Sequence, residues 1–206
     1  MPLKKRRDKE RVKMSKTVNI MICGVGGQGS LLASRILGNT FLSQGYDVKV
    51  SEVHGMSQRG GSVVTYVKYG EKVDSPVICR GEADFLLSFE LCEAARWLPY
   101  LKKDGIVVTS TQEIMPMPVI IGAAEYPADI EAKIKAQGVK LMSADALALA
   151  EECGTSKAAN VVLIGMFAKH SDIPKEEYIK AIKASVPAKF LDLNLEAFEK
   201  GYSLFL

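Results

Sequence analysis

The chain has 206 residues, of which 48% are hydrophobic and 25% are charged, a composition that predicts one soluble globular domain with a full core. It contains no run of about 18 apolar residues and no apolar signal segment at its N-terminus, so we expect neither membrane insertion nor secretion. Residues 1–13 carry seven basic and two acidic side chains, a net charge of +5. Because the whole chain has a net charge of +3, residues 14–206 have a net charge of −2. This charge argues against a nucleic-acid-binding surface on the folded domain.

The basic N-terminus differs in composition from everything that follows. Residues 1–14 are predicted to be a disordered leader, or the result of a start assigned too early, with Met14 as the true first residue. Residues 15–206 contain no repeats and no internal linker, and are predicted to form one domain.

Cysteine usage argues against a metal site in this chain. The four cysteines lie far apart and form no C-x-x-C pair, unlike the ligands of zinc and iron–sulfur centres. We therefore expect no metal ligands and instead buried thiols in a reducing cytoplasm. These residues are Cys23, Cys79, Cys92 and Cys153.

The first elements predict a unit of strand, helix and strand. The apolar run 18–23 is typical of a buried strand. Apolar residues within 30–44 recur at a helical period, and Gly45 provides a natural stop. Residues 47–53 form a second strand, and a crossover of this kind gives parallel strands covered by a helix.

The rest of the chain continues the alternation of strands and helices. The further predicted strands are residues 62–69, 77–79, 84–89, 105–110, 119–121 and 139–142. The predicted helices are a segment that ends at Trp97, residues 129–137, a buried helix over 158–168, and a C-terminal helix with an apolar stripe of Leu195, Phe198, Tyr202 and Phe205.

Two local features complete this prediction. The segment around Pro116 and Pro118 is expected to be an extended connection, and Ser143 and Ser156 are expected to be helix N-caps. Together the elements predict a single α/β domain: a three-layer α/β/α fold with a Rossmann-like, mostly parallel (mixed) sheet.

A glycine-rich loop follows the first strand. GVGGQG fits G-x-G-x-x-G between a strand and a helix, where backbone N–H groups and the helix N-terminus can face an anion. Alternatively, the glycines only let the helix pack closely on the strand. Glu52 ends the second strand, where dinucleotide-binding folds place a ribose ligand. The candidate cofactor-binding residues are Gly24, Gly26, Gly27, Gln28, Gly29 and Arg59.

A second polar segment, SEVHGMSQRGG, follows the second strand. Because strand carboxyl ends gather at one edge of such sheets, this segment, the glycine loop, Glu90 and Ser110–Thr111 are expected together. His54 and Arg59 are candidates for a proton donor and an anion clamp, but no complete catalytic set accompanies them. No catalytic residue is therefore assigned, and the candidate interface residues are His54, Met56, Ser57, Gln58, Gly60, Gly61 and Glu90.

Two further polar residues have structural interpretations. Asn160, inside the apolar helix, is expected to be an internal hydrogen-bonding residue, because buried amides need partners. His170 follows that helix and is expected at the surface.

The two motifs together resemble a known family. GVGGQGSLLASRIL followed by SEVHGMSQRGGSVVTYVKYG resembles the gamma-type subunit (domain III) of 2-oxoacid:ferredoxin oxidoreductases. Within that family, EVHGMSQRGG resembles the beta subunits of indolepyruvate ferredoxin oxidoreductases. The similarity extends to RGEADFLLSFE, TSKAANVVLIGMF and KFLDLNLEAFEKGYSLF, so it spans Ser15 to Phe205.

The resemblance implies a reaction and a division of labour. An arylpyruvate, coenzyme A and oxidised ferredoxin would give an aryl-acetyl-CoA, carbon dioxide and reduced ferredoxin. Thiamine diphosphate and iron–sulfur clusters would belong to a large alpha subunit, with no cofactor bound by this chain alone and coenzyme A as co-substrate. The chain would form a heterodimer or heterotetramer with that subunit, with ferredoxin as the electron acceptor, and be inactive alone.

Other functions remain open at this point. A NAD(P)-dependent Rossmann dehydrogenase would use Gly24, Gly26, Gly29 and Glu52, although no hydride-transfer partner is evident. The gamma subunit of a pyruvate or 2-oxoglutarate ferredoxin oxidoreductase is a second alternative. A nucleic-acid-binding module depends only on the basic leader.

Overall fold

The computed structural model describes residues 17–53 and 60–205. These residues fold around one six-stranded sheet. In chain order its strands are β1 (Val18–Val25), β2 (Asp47–Val53), β3 (Ser62–Gly70), β4 (Ala83–Ser88), β5 (Leu101–Ser110) and β6 (Lys140–Ala144).

Helices cover both faces of the sheet. The α-helices of the described residues are α1 (Ser30–Ser43), α2 (Leu91–Trp97), α3 (Met117–Ile120), α4 (Ile130–Ala136), α5 (Ala146–Glu152), α6 (Ala159–Ala168), α7 (Lys175–Ser185) and α8 (Leu191–Ser203). Single 3-10 turns precede or follow some of them, at Leu98–Tyr100, Ser156–Ala158 and Ala188–Phe190.

The strands run in the order β2-β3-β1-β4-β5-β6. The neighbours from β1 to β6 in this order are parallel, whereas β3 is antiparallel to both β1 and β2. β1 and β2 therefore point the same way, as the predicted crossover requires, but β3 separates them. The carboxyl ends of every strand except β3 share one edge of the sheet, called the carboxyl edge below.

Alternating side chains of the strands feed two cores. Ile20 and Ile22 of β1 pack into a core with α1 and α5–α8, while Met21 and Cys23 pack into a core with α2 and α4 on the other face. This arrangement confirms the predicted three-layer α/β/α fold with its mixed sheet.

Helices α6 and α8 pack closely against each other in the larger core. α6 is buried from Asn160 to Ala168, as its apolar sequence predicts. A Cβ atom on Gly165 would overlap the carbonyl oxygen of Phe198, and one on Gly201 would overlap the carbonyl oxygen of Val162. The two helices therefore meet backbone to backbone, which only glycine allows.

The apolar stripe of α8 is divided between core and surface. Phe198 is fully buried, and Leu195 and Tyr202 pack partly buried against the same core. Phe205, beyond the helix, is exposed.

Two short predicted strands are wrong. Residues 77–79 form no strand, because side chains take the backbone donors that a neighbouring strand would use: Val77 N–H donates to Ser75 Oγ at 3.3 Å, and Cys79 N–H donates to Glu82 Oε2 at 2.9 Å. Residues 119–121 belong instead to α3, a single helical turn that starts after Pro116, and to its C-terminal end.

The predicted N-caps are also wrong, by one or two residues. Ser143 lies in β6, and the cap of α5 is Asp145, whose Oδ1 accepts from Ala148 N–H at 2.9 Å. Thr155, next to Ser156, caps the following 3-10 turn and accepts from Lys157 N–H at 3.3 Å. An N-cap residue stands where the backbone changes from a loop to a helical conformation, and the residue types alone do not locate that position.

Among the described residues, no helix is both long enough and apolar enough to cross a membrane.

Candidate functional site at the carboxyl edge

The glycine loop, Gly24–Gly29, packs closely against α6. Gly29 has a φ of 86°, in the left-handed region that favours glycine, and a Cβ atom there would overlap Asn160 Nδ2. That nitrogen donates to the carbonyl oxygen of Gly29 at 3.0 Å, which confirms Asn160 as an internal hydrogen-bonding residue. Its Oδ1 atom is buried without a hydrogen-bond partner among the described residues.

Gln28 joins the glycine loop to the neighbouring strand ends. Its Oε1 accepts from Val25 N–H at 2.7 Å, and its Nε2 donates to the carbonyl oxygen of Phe89 at 2.9 Å and to Gln112 Oε1 at 3.0 Å. Phe89 follows β4, and Gln112 follows β5. The amide of Gln28, a candidate ligand by sequence, is therefore engaged by protein groups on both sides.

Several N–H groups of the loop are also used within the protein. Val25 N–H donates to the Gln28 side chain, Gly26 N–H donates to the carbonyl oxygen of Gly61 at 2.9 Å, and Gln28 N–H donates to that of Val25 at 3.2 Å. An anion cradle needs such donors directed at the ligand. Their internal use favours the interpretation that the glycines serve close packing.

The C-terminal end of the second polar segment is hydrogen-bonded to the glycine loop. Gly26 and Gly60–Gly61 exchange two backbone hydrogen bonds, since Gly60 N–H also donates to the carbonyl oxygen of Gly26, at 3.3 Å. The two motifs thus meet at the carboxyl edge, as the sequence predicts. The other candidate residues of the segment, His54, Met56, Ser57, Gln58 and Arg59, lie outside the described residues.

Glu52 does not lie where a dinucleotide-binding fold requires it. In that fold the strand bearing the acidic residue is the neighbour of the strand before the glycine loop. Here β3 lies between them, which separates β2 from β1 by about 10 Å. Glu52 Oε1 accepts from Ser34 Oγ of α1 at 2.8 Å. The ribose-ligand interpretation of Glu52 is therefore wrong.

Glu90, predicted to face a partner, is buried. It is only 1% exposed, at the start of α2. Its Oε2 accepts from Glu93 N–H at 2.7 Å, and its Oε1 accepts from Ile114 N–H at 3.2 Å and from Tyr126 OH at 2.5 Å. Burial, and next the bond to Glu90, raise the pKa of Tyr126 far above its ordinary value, so this hydroxyl remains a donor. Glu90 therefore holds neighbouring segments in place, and almost none of its surface is exposed to a partner in this chain.

The segment held by Glu90, residues 111–126, is a feature that the sequence interpretation missed. It leaves the carboxyl edge after Ser110 and is fixed at its start by Thr111 N–H, which donates to the carbonyl oxygen of Ala144 at 2.9 Å. Its middle carries four exposed large apolar side chains: Met115, Met117, Ile120 and Ile121. The signal was present as an uncharged run, IMPMPVIIGAA, over residues 114–124.

The cysteines and other potential ligands do not fit a metal centre in this part of the chain. Cys23 and Cys153 are buried thiols, as predicted, whereas Cys92 is half-buried and Cys79 is exposed, so the predicted burial is wrong for these two. Residues 17–53 and 60–205 contain no group of three or more His, Cys, Asp or Glu side chains placed to hold a metal ion.

Known proteins are similar to this chain in sequence and in fold. The chain is 48% identical over 191 residues to indolepyruvate oxidoreductase subunit IorB of Thermococcus kodakarensis, with 90% of this chain and 95% of that protein covered. It is 28% identical over 189 residues to ketoisovalerate oxidoreductase subunit VorA of Methanothermobacter marburgensis, which covers 89% of this chain and 36% of that longer protein. The crystal structure of pyruvate oxidoreductase subunit PORC from Thermotoga maritima superposes with a TM-score of 0.69 at 21% identity, covering 91% of this chain and 96% of that one.

The family model described as pyruvate ferredoxin/flavodoxin oxidoreductase matches residues 19–204. This match takes in both glycine motifs, the buried helix α6 and the packed helix α8. The chain therefore belongs to the pyruvate ferredoxin/flavodoxin oxidoreductase family.

Proposed function

We propose that this chain is the small subunit of a ferredoxin-dependent 2-oxoacid oxidoreductase that converts arylpyruvates such as indolepyruvate to aryl-acetyl-CoA. The observation that carries the proposal is the 48% identity to an indolepyruvate oxidoreductase subunit over almost the full length of both chains. The lower identity, 28%, to the ketoisovalerate relative supports the arylpyruvate branch over the other 2-oxo acids.

The proposal assigns the redox chemistry to a large alpha subunit. Thiamine diphosphate bound to that subunit would stabilise the negative charge left on the 2-oxo acid when carbon dioxide departs, and iron–sulfur clusters there would carry electrons to ferredoxin. Among its described residues, this chain offers no group of three or more His, Cys, Asp or Glu side chains that could hold a metal ion. Its own contribution is to pack against the large subunit near the active site, as a heterodimer or heterotetramer.

Two roles for the carboxyl edge are compatible with that contribution. In the first, the glycine loop and residues 54–61 dock the large subunit and help to shape its active site. In the second, the glycine loop and Arg59 hold the phosphates of coenzyme A. Internal use of the Val25, Gly26 and Gln28 N–H groups supports docking, because an anion site would leave such donors to the ligand.

Reconstitution tests the proposed function. The chain co-expressed with the large subunit should reduce ferredoxin when given indolepyruvate and coenzyme A, with a higher kcat/KM than for pyruvate or 2-oxoglutarate. The chain alone should show no activity. Equal or better turnover of pyruvate or 2-oxoglutarate would assign it to another branch of the family, and a saturable micromolar affinity for NADH would support a dehydrogenase instead.

The variant Arg59→Ala in the reconstituted enzyme separates the two roles. Docking predicts weaker association of the subunits with an unchanged KM for coenzyme A. Coenzyme A binding predicts a KM raised by about tenfold or more, since a charge-assisted contact to phosphate is lost, with association unchanged.

A further inference from the structure

Residues 114–124, called the apolar arm here, form an exposed surface without charged side chains. Met117, Ile120 and Ile121 are 66%, 65% and 69% exposed, and Met115 is exposed beside them. Soluble proteins seldom leave contiguous large apolar side chains in water unless the patch binds something. Single exposed apolar residues scattered over a surface are common, but a cluster of them in one short segment indicates a binding surface.

The arm is a folded projection with its own backbone hydrogen bonds. Pro116 and Pro118 favour the start of a helix, and α3 ends after one turn at Gly122, which has a φ of 73°. The N–H groups of Ala123 and Ala124 both donate to the carbonyl oxygen of Pro118, at 2.8 and 3.1 Å. This closed turn keeps the apolar side chains on the outside of the protein.

The base of the arm is tied to the carboxyl edge by partly buried hydrogen bonds. Glu90 accepts hydrogen bonds from both sides of the arm, from Ile114 N–H and from Tyr126 OH. Gln112, just before the arm, accepts from Gln28 Nε2 of the glycine loop and, through its carbonyl oxygen, from Leu91 N–H at 2.9 Å. The arm therefore continues the surface formed by the glycine loop and Gly60–Gly61.

We infer that the apolar arm is a docking surface for the large subunit of the oxidoreductase, an inference that rests on the proposed function. It inserts into an apolar pocket of that subunit, next to the contact made by the glycine loop. Interface centres are enriched in Met and depleted of charged residues, as this arm is. Its exposed side chains alone supply less than the roughly 800 Å² per partner of a stable interface, so the glycine-loop region completes the contact.

Charges flanking the arm specify the rim of the partner's pocket. Glu113 and Glu125 bound the uncharged run on its two sides, and both are exposed. The pocket that accepts the arm should therefore be apolar within and carry Lys or Arg at its edge. Such rim pairs guide the encounter of the subunits and contribute little to the final affinity.

A large-subunit partner fits better than a second copy of this chain. The ketoisovalerate relative contains the matching sequence as 36% of one longer chain, so in that protein this unit is joined to further polypeptide.

A second exposed apolar patch, with Leu42 and Val50 between α1 and β2, lacks any bond to the glycine loop in the described residues. That patch provides a control site.

Co-purification of the two subunits tests the docking surface. The large subunit is tagged and co-expressed with the wild-type chain, with Ile120→Asp/Ile121→Asp, or with the control Leu42→Asp, whose side chain is 56% exposed. We expect the double variant to weaken association by at least tenfold and the control to leave it unchanged. The milder pair Ile120→Ala/Ile121→Ala, which adds no charge, should weaken it several-fold while keeping the soluble yield and the thermal unfolding of the small subunit.

The outcomes separate this inference from the proposed function. If the wild-type chains do not associate and show no indolepyruvate oxidation, the proposed function is wrong, and the inference with it. If they associate and both double variants associate equally well, the proposed function stands and the docking surface lies elsewhere. If the wild-type small subunit self-associates, the double variants are monomeric, and the complex is unaffected, the arm binds a second copy and the inference is wrong.

Discussion

The α6–α8 contact and the apolar arm are both built from apolar residues and glycine, yet they are opposite in exposure. In the first, Gly165 and Gly201 bring two backbones together, and every residue of α6 from Asn160 to Ala168 is buried. In the second, Ile120 and Ile121 remain largely in water on a one-turn helix. Long helices such as α6 and α8 can bury each other's apolar side chains, and this burial stabilises the fold. The single turn of α3 buries few of its own, so its apolar side chains stay exposed and can contact a partner.

The largest effect should come from adding a methyl group to the helix contact. Gly165→Ala or Gly201→Ala places Cβ against a backbone carbonyl that no side-chain rotation can move. We expect the free energy of unfolding to fall by about 3 kcal/mol or more, as overpacked core sites do. Chemical denaturation of the purified chain, or loss of soluble protein, measures this effect.

Gly38→Ala is the matched control for that prediction. Gly38 also lies in a helix, but a Cβ atom there would meet only Val50 Cγ2, at 3.8 Å. This variant should be more stable than wild type by about 0.5–1 kcal/mol, because alanine favours the helix. Equal losses for Gly38 and Gly165 variants would contradict a role for the close contact.

A smaller effect is expected where the arm is attached. Glu90→Gln leaves one amide oxygen to accept from three donors and turns an NH2 group toward them. The free energy of unfolding should fall by about 1–3 kcal/mol. Hydrogen exchange of residues 114–124 should also become faster, whereas that of α6 should not. An unchanged exchange rate in the arm would show that Glu90 does not anchor it.

A smaller effect again, and one that depends on pH, is expected at the end of α6. His170, expected at the surface, is half-buried, and its Nε2 atom is buried without a hydrogen-bond partner among the described residues. Burial first, then Lys140 and Lys169, lower its pKa below the ordinary value of 6.5. The unfolded chain therefore binds the proton at a higher pH than the folded chain does, and stability should decline as the pH falls from 7.5 through 6.5 toward 5.5.

The variant His170→Asn identifies the source of that decline. Denaturation midpoints measured across the same pH range should lose the part of the slope that is due to His170. An identical slope in the variant would assign the pH dependence to other groups.

The smallest effect is expected from shortening the arm. Ile121→Ser should leave the free energy of unfolding within about 0.5 kcal/mol of wild type, because the side chain is already in water. A loss above about 1.5 kcal/mol would mean that the arm belongs to the core of the isolated chain, and the contrast with the helix contact would disappear.

Much of the fold follows from local patterns. The bounds of β2 and the extents of α1 and α6 agree closely with prediction, because each has a clear period and a clear stop at a glycine or a polar residue. The position of β3 between β1 and β2 does not follow, since pairing partners depend on long-range contacts. The α3 turn was missed because prolines are compatible with both an extended chain and a helix start.

The site was predictable in its location and less so in its details. The meeting of the glycine loop with Gly60–Gly61 follows from the shared carboxyl edge. The burial of Glu90 does not follow, because a carboxylate that starts a helix looks alike in sequence whether it faces water or two backbone donors. Gln28 could be a ligand or a brace by sequence, and its three hydrogen bonds appear only once β4 and β5 are in place.

The exchange of hydrogen bonds between Gly26 and Gly60–Gly61 bears on how much change of sequence the fold tolerates just before Gly60. The bonds join backbone to backbone, so they do not depend on the side chains that lie between Val53 and Gly60. We therefore expect substitutions in residues 54–59 to leave β2, β3 and the glycine loop folded as they are in this chain. Transplanting residues 54–59 from a pyruvate or ketoisovalerate relative should yield a folded hybrid whose free energy of unfolding stays close to that of the wild-type chain.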